Sequence, residues 1–141
     1  MHLIARGAGV DGRFLYVDSD TIVIAPADSA LRTLFQFDRA NRLLAVDGGS
    51  TGKAVLQIVV SQYLLLRTLS EVSKSPDYHL VRCKVDPDTF ELTCQSRTST
   101  LHPWYFSNGD TSPNGSFLWL KAFASDDIQI RIFAIPVGCL E

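Results

Sequence analysis

The stretch Tyr78–Gln95 (YHLVRCKVDPDTFELTCQ) constrains this chain most, because it specifies a β-hairpin together with its register. Two alternating runs, Leu80–Val85 and Phe90–Cys94, flank Asp86-Pro87-Asp88-Thr89. Pro87 presets φ for the second position of a type I turn, and Asp is favoured before it because its side chain bonds the backbone that follows. Folding about Asp88 and Thr89 sets Cys83 opposite Cys94 and Val85 opposite Leu92. One face is then apolar (Val81, Cys83, Val85, Phe90, Leu92, Cys94), and the other carries Arg82, Lys84, Glu91 and Thr93. The opposed cysteines make Cys83–Cys94 a candidate cross-strand disulfide.

Strand signals recur every 8–15 residues along the chain and helical periodicity is almost absent, which is the all-β pattern. Strands are expected at Arg13–Val17, Thr21–Ala25, Arg32–Asp38, Arg42–Asp47, Ala54–Val60, Tyr63–Arg67, Trp104–Ser107, Phe117–Lys121 and Ile128–Ile135. One helical turn is expected at Leu69–Val72. In the last strand Ile128, Ile130 and Ile132 face in, while Gln129 and Arg131 face out.

A faint repeat links Phe14-Leu15-Tyr16-Val17, Val55-Leu56-Gln57-Ile58 and Phe117-Leu118-Trp119-Leu120. Another links Phe35-Gln36-Phe37-Asp38 to Cys83-Lys84-Val85-Asp86. Three repeats would suggest a β-trefoil, but these copies begin 41 and then 62 residues apart. The expectation is therefore a single all-β domain over 1–141, a compact antiparallel β-barrel or β-sandwich, with a β-trefoil-like fold as the alternative.

At 141 residues the chain buries about two-thirds of its unfolded surface without metal or disulfide help. Its 13 basic residues are scattered and the net charge is −2, so no basic stripe marks a nucleic-acid partner. No apolar run approaches the ~18 residues of a bilayer span. Met1–Arg6 lacks the basic start, apolar core and cleavage site of a secretory signal, which leaves a cytoplasmic location open. Asn114-Gly115-Ser116 makes Asn114 a glycosylation candidate. With the cysteine pair it tilts the reading toward an extracellular or cell-wall setting.

Several motifs have simpler explanations. Asp47, Gly48, Gly49, Ser50, Thr51 and Lys53 resemble the first phosphate-binding hairpin of the sugar-kinase and actin-like ATPases. That fold needs two α/β lobes and further motifs, so this stretch reads as a glycine-rich turn between strands. His2, His79 and His102 are too scattered for zinc, and the cysteines lack ligand spacing. An N-terminal copper site at His2 would need Met1 removed. The acid pairs Asp18/Asp20, Asp86/Asp88 and Asp126/Asp127 fall in expected turns rather than flanking a scissile bond. No catalytic residue and no cofactor is assigned.

The least ordinary patch is Leu101–Lys121 (LHPWYFSNGDTSPNGSFLWLK). It places Trp104, Tyr105 and Trp119 around a long turn with Asn108, Asp110 and Asn114. Leu118 and Leu120 fill the core, which turns Trp119 outward. A flat ring beside amides and carboxylates makes a sugar platform. These six residues are the candidate ligand site.

The chain as a whole resembles a widespread family of secreted fungal surface and cell-wall-associated domains. The resemblance rests on Ala5–Val17 (ARGAGVDGRFLYV), the hairpin Phe35–Leu43, the Cys83–Cys94 hairpin, Leu118–Leu120 and Ile135-Pro136-Val137. It departs at Trp104-Tyr105-Phe106, where a second cysteine pair usually draws its partner for Cys139. The resemblance implies display or binding rather than catalysis. The leading expectation is a non-catalytic extracellular binding module for glycan or a partner protein. The alternatives are a small β-barrel cyclase or isomerase holding an apolar molecule, and a structural or adhesive β-domain.

Overall fold

The computed structural model describes residues 1–7, 9–47, 49, 51–58, 64–74, 76–95, 105–112, 115–121 and 129–136. For 57, 58, 69, 72, 105, 108–112, 117 and 121 it describes the main chain only. The strands are β1 (His2–Arg6), β2 (Arg13–Asp18), β3 (Thr21–Ile24), β4 (Phe35–Phe37), β5 (Leu43–Ala45), β6 (Ala54–Ile58) and β7 (Leu64–Arg67). After the single helical turn α1 (Leu69–Val72) come β8 (Tyr78–Leu80), β9 (Arg82–Val85), β10 (Glu91–Gln95), β11 (Tyr105–Ser112), β12 (Gly115–Lys121) and β13 (Gln129–Ile135). The fold is all-β and antiparallel, as expected. Thr68 caps α1 through a reciprocal pair with Glu71: Glu71 N donates to Thr68 Oγ1 at 3.3 Å and Thr68 N to Glu71 Oε1 at 3.2 Å.

The pairings close a ring. β1 pairs β13 from His2↔Ile135 to Arg6↔Arg131, β13 pairs β10, and β10 pairs β9. β9 reaches the β4–β5 hairpin through the Arg42↔Arg82 bridge and the bond from Cys83 N to Asn41 O (3.0 Å). β4 returns to the start of the chain, where the Met1 amine donates to Phe35 O and Phe35 N donates to Met1 O, both at 2.8 Å.

Three hairpins cap this barrel: β2–β3, β6–β7 and β11–β12. They meet through β3, which pairs β12 at Ser116↔Ile24 and β7 at Thr21↔Leu65. A ring of strands capped by three hairpins is the β-trefoil-like arrangement. The repeats are β1–β4, β5–β9 and β10–β13. The Phe14 and Val55 copies of the sequence repeat hold the same place, in β2 and β6. The Phe117 copy does not, because it lies in β12, one strand later than β11. That misplaced copy accounts for the uneven spacing.

The core fills the barrel from all three repeats. Leu3, Leu15, Phe35, Leu66, Leu118 and Ile132 are among its fully buried side chains, each worth about 1.5–3 kcal/mol. In β13, Ile130, Ile132 and Ala134 point in while Gln129 and Arg131 are exposed, the expected alternation; Ile128 lies outside the described residues.

The central hairpin keeps its expected register, Leu92↔Val85 and Cys94↔Cys83. Three expectations change. The run Leu80–Val85 breaks at Val81, whose N–H turns to Val55 O (3.2 Å): before it the chain pairs β6, after it β10. Phe90 leaves the apolar face and is 46% exposed, because it adopts φ 64° to close the turn. The long turn around Asn108 and Asp110 is strand instead, since β11 runs to Ser112 with an irregularity between Asn108 and Thr111.

Candidate functional site

One edge of β13 serves two strands. Phe133 and Ile132 pair with Glu91 and Leu92 of β10, and two residues earlier Ile130 and Gln129 pair with Phe106 and Ser107 of β11. Two strands cannot occupy one edge, so β10 and β11 diverge and leave a cleft of about 250 Å³ between them. Its floor is apolar: Leu92, Phe106 and Ile130 are buried, and so is Cys94, which is bonded to Cys83. Its rim is polar, with Glu91, Thr93, Gln129 and Arg131. The predicted disulfide therefore exists, and one of its sulfurs belongs to a cleft-lining residue.

Arg131 clasps Glu91 with two parallel bonds, Nε to Oε2 at 2.8 Å and Nη2 to Oε1 at 2.7 Å. Those hydrogen bonds hold the Glu91 carboxyl below the ordinary carboxylate range and push the Arg131 guanidinium up. The guanidinium also lies over the Phe133 ring, 5.3 Å from its centroid. The pair is fixed in place, with donors of Arg131 left over for a ligand.

The sequence-predicted platform is only partly visible. Trp104 and Asn114 lie outside the described residues, as does the third acid pair, Asp126/Asp127. Tyr105, Asn108 and Asp110 sit on β11 in main chain alone. Trp119 is half-buried rather than exposed, with its indole nitrogen buried. It stands directly across from Ser107, which is wholly buried. β12 is flanked by β11 and β3 and so is not an edge strand. Among the described side chains of that aromatic stretch, Phe106 reaches the cleft.

The remaining motifs have local duties. Asp47 Oδ1 accepts from Leu34 N (2.9 Å) and Lys53 Nζ donates to Asp20 Oδ2 (3.0 Å), so both ends of the glycine-rich stretch are pinned to neighbouring segments, while Gly48 and Ser50 lie outside the described residues. Asp86 Oδ1 accepts from Asp88 N and Thr89 N. These two donors hold its pKa down. His2 packs edge-on to Phe14, with Nδ1 3.4 Å from Thr33 O. Among the described residues no three His, Cys, Asp or Glu side chains gather as a metal site, and no helix is long and apolar enough to cross a membrane.

Sequence reasoning placed Glu91, Thr93, Gln129 and Arg131 on solvent faces but not together. The signal that joins them is tertiary: Glu91 and Arg131 are 40 residues apart. No protein-family model, curated protein or solved structure matches the chain.

Proposed function

We propose that this chain is a non-catalytic binding module that recognises a glycan at the cleft between β10, β11 and β13, and that it works in an extracellular or cell-wall setting. The cleft carries this reading. A sugar ring has apolar C–H faces and a polar edge, and the cleft offers an apolar floor with Phe106 beneath a rim of hydroxyl, amide, carboxylate and guanidinium. Its volume of about 250 Å³ has room for a single sugar ring. The Cys83–Cys94 bond supports an oxidising compartment.

The test is retention of purified protein on insoluble chitin, β-glucan, mannan and polygalacturonate, beside a Thr93→Ala/Gln129→Ala variant. Both residues are exposed, so the variant keeps its fold. Retention of wild type and loss in the variant is the expected result. Wild type washing through all four matrices would overturn the reading.

A further inference from the structure

Arg6 is the direct cross-strand partner of Arg131, at the last rung of the β1–β13 ladder. Both side chains lie on the outer face and both are exposed. Directly opposed residues have Cβ atoms about 5 Å apart, and like charges so placed are destabilising. Glu91 answers only one of the two cations. Its oxygens are both taken by Arg131, and the Arg6 side chain has no ion-pair or hydrogen-bond partner among the described residues. Three charged groups thus stand side by side with a net charge of +1. Arg6 does not line the cleft: β1 pairs the opposite edge of β13, so Arg6 stands across that strand from the cleft, beside Arg131 on its rim.

Resting on the glycan reading above, we infer that the ligand is an acidic sugar, whose carboxylate or sulfate lies against Arg6 and Arg131. A guanidinium fork binds either group through two parallel N–H···O bonds. The anion supplies the charge that Glu91 cannot, and relieves the repulsion on the rung. The Thr93 and Gln129 side chains then face the sugar hydroxyls. Such a site costs the empty protein stability and gains it back on binding, a common trade at functional positions.

The experiment is calorimetric titration of the full chain with three oligosaccharides of equal length: a neutral β-glucan, an oligogalacturonate and a sulfated glucan. Wild type and Arg6→Gln are compared, with thermal melts of both. The expected result is at least tenfold tighter binding of one or both anionic ligands, weakening as salt is raised. Arg6→Gln removes that preference, leaves neutral binding unchanged, and melts no lower than wild type because a like-charge contact is gone. Equal affinity for neutral and anionic ligands, or an unchanged preference in Arg6→Gln, overturns the acidic assignment while the glycan reading stands. A melt lowered in Arg6→Gln gives Arg6 a structural role and overturns it too. No binding of any of the three sinks both.

Discussion

Asn41 and Phe90 play the same part in turns of different length: each is the left-handed residue just before the returning strand of a hairpin begun by an aspartate, with φ 60° and 64°. Asn41 N donates to Asp38 O at 3.2 Å, and Phe90 N donates to Asp86 O at 2.8 Å. Asn suits this conformation because its short polar side chain bonds locally, whereas for a bulky residue it costs about 1–2 kcal/mol. Phe90 recovers little of that through burial, being 46% exposed. Phe90→Asn is therefore expected to raise stability by about 0.5–1 kcal/mol, measured by urea unfolding. A lower midpoint would show that the ring contributes more than the backbone costs.

Removing the bridge between Cys83 and Cys94 acts on stability and on the cleft together. The disulfide spans 11 residues, and Cys83→Ser/Cys94→Ser is expected to cost about 2–4 kcal/mol. Because Cys94 lines the cleft, the proposed glycan binding should weaken in the same variant at temperatures where it remains folded. Denaturant melts with and without a dithiol reductant check the first part, and titration checks the second.

Acid should unfold the protein through a few identifiable carboxylates. Glu91 is held down chiefly by Arg131, and Asp86 by the Asp88 and Thr89 backbone donors. For Asp38 burial pushes up, but donors from Arg42 and Ala40 outweigh it. A carboxyl lowered in the folded state adds stability above its unfolded pKa, about 4, and loses that stability as pH falls through the folded value. The melting temperature should hold steady from about pH 7 to about pH 5 and decline below about pH 4. Arg131→Gln should make that decline shallower, and an identical acid limb would remove Glu91 from the account.

Gly115 admits no side chain. Its φ is +128°, and an added Cβ would overlap the carbonyl oxygen of Ile24. That contact lies beside Ser116↔Ile24, where two capping hairpins meet. Gly115→Ala should cost about 3 kcal/mol or more, whereas Gly52→Ala, with open space at its Cβ position and φ +81°, should cost less. Comparing the two thermal melts separates crowding from backbone strain.

What was legible in the sequence is what local chemistry decides. Asp86-Pro87 and the alternating runs beside it set Cys83 against Cys94, and the polar stretch from Thr68 left room for one helical turn at Leu69–Val72. The face of Phe90 was not legible, because a period of two assumes an unbroken pleat and the left-handed residue interrupts it. β1 was missed because Ile4 faces outward yet is buried between its cross-strand neighbours Phe133 and Phe14, which blurs the alternation. The Phe117 stretch looked like a copy of the Phe14 stretch since any half-buried strand has that pattern; only pairing says which strand of a hairpin it is. The faces of Glu91 and Arg131 could be read, but their meeting is set by the fork on β13.

The rungs from His2↔Ile135 to Arg6↔Arg131 join the first strand of the chain to its last. Closing a loop that spans nearly the whole chain costs entropy before the contacts that offset it can form. Folding should therefore be slow, on the millisecond-to-second scale of β-proteins rich in distant contacts. The ladder's final rung carries Arg6 and Arg131. By the same reasoning the site should form late, and a chain stalled short of barrel closure would have no cleft to offer.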